Sequence, residues 1–286
     1  MLNIKRARAE DFEKIYPLLL ELDNRLAKDD WSQIFINHYG GKENYFGFVA
    51  LDQEEAVGFM GLIFSEKTIN GKINKFGNMT TWILKKEYRR GVLGLLLLRE
   101  ILKLEDYTLT ALTSGGQTVS TLKRYGFKTL ETTCLILLPV PTICCFSSDK
   151  CSIVLDIKAI ESCLSDTEKK IFHDHQKLKC LHFTVKAKNE YCYVIAKKIS
   201  IKKMPFIQLH YISNLDVFLK YLPQVRNIIC FPLRVFGMLI EERFLKGHKI
   251  KRSFARPCRG EYFKSSTLAG KDITDNLYTE LLVLID

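Results

Sequence analysis

The stretch Glu87–Glu100, EYRRGVLGLLLLRE, restricts the fold of this chain more than any other. Arg89 and Arg90 run into Gly91, Gly94 follows, and four leucines come next. The residues before it, KINKFGNMTTWILKKEYR (72–89), read as a long strand. The residues after it, GVLGLLLLREILKLE (91–105), carry little polar surface in their first turns and read as a helix buried on most sides. A strand, a basic glycine-bearing turn and a buried helix in direct succession admit two readings. In one, the turn merely joins the strand to the helix. In the other it cradles a phosphate. A helix start presents unpaired N–H groups and a partial positive charge. Glycines let the backbone approach an anion closely, and an arginine adds charge-assisted hydrogen bonds. Together these suit a pyrophosphate.

Around that unit the pattern predicts a strand at 2–8 and a helix at 9–27, with Phe12, Ile15, Leu19 and Leu22 at helical spacing. A short helix over 30–39 and strands at 45–52 and 56–66, joined by a turn, come next. A strand at 107–113 follows the buried helix. GGQTVSTLKRYGF (115–127) is a short helix stopped by Gly126, and 128–138 is a strand. The order over 1–138 is β-α-α-β-β-β-α-β-α-β. Proline and serine in PVPTICCFSSDK (139–150) mark a boundary, which divides the chain into domains at 1–145 and 151–286. In the second half, 157–178 reads as helix with SDTE (165–168) as a capping box. Three strands follow at 178–187, 190–200 and 204–213. Then come a helix (214–223), a strand at VRNIICF (225–231) and a helix at LRVFGMLIEERFL (233–245). This repeats the α-β-β-β-α-β-α order of the first half without visible self-similarity of sequence.

With this order in place, the first half resembles the GCN5-related N-acetyltransferases. That family carries, after a strand, a turn of the form [QR]-x-x-G-x-[GA] and then a helix. Here Glu87-Tyr88-Arg89 opens the turn, Gly94 is its last glycine and Leu95–Leu98 form its leucine tail; Val92 stands where a middle glycine is usual. The resemblance implies an α/β (α+β) fold, a mixed and mostly antiparallel sheet flanked by helices, with 151–286 as a second, degenerate domain of the same kind. It also implies acetyl-CoA as co-substrate and an amine as acceptor. Trp82, Ile83 and Leu84 would then pair with the pantetheine arm. Arg89, Arg90, Gly91, Val92, Leu93, Gly94 and Leu95 would hold the pyrophosphate. A second motif, STLKRYGFKTLE (120–131), matches the family's helix end at Gly126-Phe127. Leu122 stands where the family often has the tyrosine that protonates the departing thiolate. Tyr125, one helical turn on, either substitutes for it or packs.

The base that frees the amine is not named by the sequence. Asp52, Glu54 and Glu66 lie at strand ends in the right half, but turn acids are common; Thr113 and Ser114 follow a strand and could line a cleft. FHDHQKLKCLHF (172–183) holds His173, His175, Cys180 and His182 without the spacing of a zinc finger, so core packing is expected there and no metal. A Cys180 nucleophile is the weaker reading.

Composition bounds the rest. The 286 residues are 47% hydrophobic and 26% charged, as in ordinary globular chains. The nine cysteines are scattered, without a CxxC pair, and read as reduced thiols of a cytoplasmic protein. The longest apolar run, near 135–146, is too short to span a membrane and contains two prolines, and the N-terminus lacks the apolar core of a secretory leader. Residues 1–150 carry 20 Lys and Arg against 18 Asp and Glu, and residues 151–286 carry 23 against 14. That basic second half suits either a solvated lysine surface or an anionic partner. Two rivals to acyl transfer therefore stand: a binding or scaffold protein that keeps the fold without catalysis, and an aminoacyl- or tRNA-linked transferase, although a nucleic-acid partner is not the expectation.

Overall fold

The computed structural model describes residues 2–140 and 151–284. The elements run β1 (Leu2–Arg6), α1 (Phe12–Leu22), α2 (Lys28–Ser32), β2 (Gly47–Asp52), β3 (Glu55–Ile69), β4 (Lys72–Leu84) and α3 (Leu93–Leu102). Then come β5 (Tyr107–Ala111), α4 (Gln117–Arg124), β6 (Lys128–Leu137), β7 (Ser152–Val154), α5 (Ile157–Glu161) and α6 (Asp166–His175). The rest are β8 (Leu181–Ala187), β9 (Glu190–Ile201), β10 (Met204–Ile212), α7 (Leu215–Lys220), α8 (Leu222–Cys230), β11 (Met238–Glu241), β12 (Ser253–Lys264) and α9 (Glu280–Val283). The chain folds into two units. One holds the chain up to Leu130, Arg259–Asp272 and the segment from Tyr278. The other holds Glu131–Cys258 and Ile273–Leu277. The expected 139–150 boundary falls largely on residues 141–150, outside the described residues.

In the first unit, β1 to β4 form an antiparallel meander. β4 then pairs in parallel with β5, from Lys75↔Tyr107 to Asn78↔Thr110. β5 pairs antiparallel with the end of β12, Tyr262↔Ala111 to Lys264↔Leu109. The parallel step requires a crossover, and α3 supplies it. Its Leu93, Leu97, Leu98 and Ile101 are buried in one core with Met60, Leu62 and Phe64 of β3. The alternate residue Phe59 points to the other face, where its ring stacks on Phe35 at 5.4 Å between centroids. α4 ends as its sequence requires. Gly126 adopts φ +85°, Phe127 N–H donates to Leu122 O and Gly126 N–H to Lys123 O, and Leu122 and Phe127 share the core. This is the Schellman arrangement that a glycine in this place permits.

The second unit repeats the scheme. β7, β8, β9 and β10 are antiparallel neighbours, and β10 pairs in parallel with β11 at Ile207↔Met238 and Gln208↔Leu239. α7 and α8 make the crossover. β11 then pairs antiparallel with β6, Met238↔Leu137 to Glu241↔Cys134. Within each unit the strand pairing is thus mixed and mostly antiparallel. The strand that continues each half in sequence, β6 or β12, pairs beside the other half's fifth strand.

Four sequence expectations need correction. The strand over 72–89 stops at Leu84, and Lys86–Tyr88 is a single 3-10 turn. The helix over 157–178 is two helices; Ser165 and Glu168 form the expected capping box at the start of the second. VRNIICF is helical, not a strand: Leu222, Val225, Arg226, Ile229 and Cys230 are buried at helical spacing, and Pro223 sits in the first turn. LRVFGMLIEERFL contains β11, not a helix. All four residues of Met238–Glu241 are buried, and a strand covered on both faces reads as an unbroken apolar run, which periodicity cannot separate from a helix.

Candidate active site

β4 parts from one of its two partners in mid-course while keeping β3 on its other edge. Its ladder with β5 ends at Asn78, and the six residues Met79–Leu84 run on toward the turn with no register to β5. On the other edge, Met60 pairs with Trp82 but Leu62 pairs with Met79, so Thr80 and Thr81 together oppose Gly61. This is a β-bulge, which leaves a residue unpaired and bends the strand. Gly61 makes room for it. A Cβ there would lie 2.2 Å from Thr80 Oγ1 and 2.9 Å from Thr81 Oγ1. An amide released from a ladder in this way is a fixed donor of the kind that stabilises an oxyanion.

The turn is then built in three steps. Lys85 N–H donates to Val57 O, and the Lys86–Tyr88 turn is closed by Tyr88 N–H to Lys85 O and Arg89 N–H to Lys86 O. Tyr88 Oη donates to Asp52 Oδ2 at 2.8 Å, which fastens the turn to the end of β2 and holds the Asp52 carboxyl below its usual range. Arg89 belongs to the same scaffold: its Nε donates to Leu84 O at 2.8 Å and its Nη2 meets Glu21 Oε2 at 3.4 Å. Arg90 is exposed and has no protein partner among the described residues.

At the helix start, Gly91 N–H is taken by Tyr88 O (3.4 Å), and Leu95 and Leu96 N–H are taken by Val92 O (both 3.0 Å). The N–H groups of Val92, Leu93 and Gly94 have no backbone acceptor, as expected of the first positions of a helix without a capping side chain. The free set is therefore 92–94, narrower than the 91–95 implied by the motif. The glycines also divide. Gly91 has ordinary φ, and a Cβ there would meet only Tyr88 O, at an unstrained 3.7 Å. A Cβ on Gly94 would sit 3.3 Å from both Leu84 Cδ1 and Trp82 Nε1. Gly94 thus lets α3 lie close on β4. Val92 is 66% exposed, and Leu95 is exposed on the same turn. Trp82 and Leu84 are half-buried and Ile83 is buried.

Leu122 is fully buried and completes the helix-end cap, so no acid group stands at that position. Tyr125, the C-cap residue of α4, is half-buried against the unit's core. Of the acids, Glu54 is ion-paired to Lys14 on the surface, and Glu66 is exposed opposite Lys75. None of the three approaches the point where β4 and β5 part.

The residues that do occupy that point carry little signal in the sequence. Asn78 Nδ2 donates to Thr110 Oγ1 at 3.0 Å, in the last paired position. Asn78 Oδ1 accepts Glu280 N–H at 3.1 Å, and Thr113 Oγ1 donates to Glu280 Oε1 at 3.0 Å. Glu280 is only 4% exposed. Its one sequence signal is a lone acid opening an apolar run, YTELLVL.

The 172–183 cluster is structural. His175 Nδ1 bonds Ile171 O, His182 Nδ1 bonds Tyr193 Oη at 2.7 Å, and His173 faces Glu161. Burial pushes the Cys180 thiol up to about 11, the opposite of an activated nucleophile. Among the described residues, no three His, Cys, Asp or Glu side chains converge as metal ligands, and no helix is long and apolar enough to cross a membrane.

No protein-family model matches the chain, and no curated protein does. Solved structures do. A GCN5-related N-acetyltransferase from Anabaena variabilis is similar over 92% of this chain and 72% of its own, with TM-score 0.62 and 12% identity. A putative acetyltransferase from Pyrococcus horikoshii is similar over 97% and 94%, with TM-score 0.57 and 16% identity. A GCN5-related N-acetyltransferase from Kribbella flavida is similar over 92% and 70%, with TM-score 0.58 and 10% identity. The chain has the fold of the GCN5-related N-acetyltransferases, and the similarity extends through both units.

Proposed function

We propose that this protein binds an acyl-CoA at the turn after β4 and transfers its acyl group to an amine. The observation that carries this reading is the coincidence of two features. β4 leaves β5 at Asn78, and six residues later it delivers the chain to three unpaired amides beside Arg90. The amides of Val92, Leu93 and Gly94 take the pyrophosphate together with Arg90, while Arg89 braces the turn. The released edge of β4 at Trp82–Leu84 gives main-chain partners to the pantetheine arm. The bulge at Thr80–Thr81 supplies an amide for the oxyanion of the tetrahedral intermediate. Glu280 is the base, taking the proton of the attacking amine directly or through one water. Tyr125 is the candidate to return a proton to the thiolate. In this reading residues 1–145 are the acyl-CoA-binding domain, completed by Glu280 from the segment of the first unit that begins at Tyr278, and the rest of 151–286 is a second domain in which no arginine–glycine turn follows β10.

Calorimetric titration with acetyl-CoA, followed by measurement of thiol release with a panel of primary amines, tests the proposal. Saturable binding and amine-dependent release support it; absence of binding by the folded protein removes it. The burial of Leu122 where a thiolate acid is usual favours a second reading, a binding protein without turnover. Binding without thiol release would select it.

A further inference from the structure

The geometry points to a second binding site, for an aliphatic anion, wholly within the second unit and separate from the turn after β4. A cavity of about 670 Å³ lies beside α7, α8 and residues 248–252. That is the size of a small-molecule pocket. One wall is aliphatic, formed by Leu219, Leu222, Pro223, Ile250 and Val140. No Phe, Tyr or Trp side chain is among the described lining residues and His248 is the one aromatic ring there, so the wall favours an alkyl chain over a stacked base. Lys220, Lys249, Lys251, Arg252 and His248 line the remainder, against one carboxylate, Asp216.

Arg226 makes this more than a basic surface. It also lines the cavity, yet it is only 2% exposed. Its Nη1 donates to Arg252 O at 3.1 Å and its Nη2 to Lys251 O at 3.5 Å, while its Nε has no partner. Among the described residues no carboxylate pairs with it. A buried cation without a counter-charge is costly, and burial accordingly lowers its proton affinity. The two carbonyls satisfy its hydrogen atoms in part but bring no negative charge. A ligand with an anionic head and an aliphatic body corrects both deficits. The head lies between Arg226 and the exposed lysines, and the body lies along Leu219, Leu222 and Ile250. Medium-chain carboxylates and alkyl phosphates share this chemistry.

Titration calorimetry on the full chain with decanoate, decyl phosphate, decanol and inorganic phosphate tests the site. The expected result is one saturable site for the two long anions, with decanol at least ten-fold weaker and phosphate without measurable binding. The stronger of the two anions identifies the source, carboxylate or phosphate ester. Arg226→Met should weaken the anions at least ten-fold while leaving the melting temperature unchanged or higher, since it removes an uncompensated charge. Lys249→Glu with Lys251→Glu alters only exposed side chains and should weaken them at least five-fold, so it gives a readout even where Arg226→Met fails to fold. Decanol binding as tightly as decanoate, phosphate binding as tightly as decyl phosphate, or wild-type affinity in the Lys249/Lys251 variant would overturn the assignment.

Discussion

Replacing Val92 by aspartate separates two roles of one turn. Val92 is the residue just before α3, is 66% exposed and provides no capping hydrogen bond. An acidic cap there would accept from the free amides of the first turn and lie at the positive end of the helix. Caps of this kind contribute about 0.5–2 kcal/mol relative to an apolar residue, and the charge at the helix end adds about 0.3–1 kcal/mol. Val92 has φ −86° and ψ −4°, not the extended backbone of an ideal cap, so the gain belongs near the low end, about 0.5–1 kcal/mol. For a chain of this size that raises the melting temperature by roughly 1–4 °C. The same carboxylate occupies the amides of 92–94 and opposes the phosphates. Acyl-CoA binding should weaken by about 1–3 kcal/mol, the scale of a lost charge-assisted hydrogen bond. Thermal melting and acetyl-CoA calorimetry on the same preparation read the two effects, which have opposite signs. A higher melting temperature with unchanged affinity would show that the turn merely joins a strand to a buried helix.

Arg90→Gln should weaken acetyl-CoA about ten-fold at low salt, measured by the same titration. Arg89→Gln should instead lower stability by about 1 kcal/mol, because Arg89 is bonded to Leu84 O; equal effects of the two on affinity would refute the division of labour. Glu280→Gln keeps an acceptor for Thr113 and should lower kcat at least about 100-fold with little change in KM for acetyl-CoA; an unchanged kcat removes Glu280 as base. Burial holds His182 down to about 4 and His210 to about 3, against 6.5 when exposed. Between those values the unfolded chain binds more protons than the folded one, so stability is full above pH 6.5 and falls as pH drops toward 4, by on the order of 3 kcal/mol per imidazole. Denaturant unfolding at pH 7.5 and pH 5 checks this, and equal stability at both would show that these rings titrate freely.

The parts legible in the sequence are those set by local chemistry. The capping box at Ser165–Glu168, the Gly126 helix stop and the start of α3 two residues after Gly91 follow from side chains within one turn of each other. Where a segment is buried on both sides, the local signal fails. β11 is apolar along most of its length and reads as a helix, and α8 reads as a strand because Val225, Ile228 and Ile229 are β-branched. The arginines can be seen as a pair but not told apart, since only the fold brings Glu21 and Leu84 O to Arg89. Asn78 and Glu280, 202 positions apart, meet through pairings that no local pattern encodes. The buried Arg226 is hidden for the same reason as α8, because a charged residue inside an apparent strand reads as solvent-facing.

The structure of the protein with acetyl-CoA bound tests the account most directly. The pyrophosphate should lie within hydrogen-bond reach of the amides of Val92, Leu93 and Gly94 and of Arg90, with the thioester beside the Thr80–Thr81 bulge and the acetyl group directed toward Asn78 and Glu280. A pyrophosphate seated away from these amides, or a nucleotide bound only in the second unit, would contradict it.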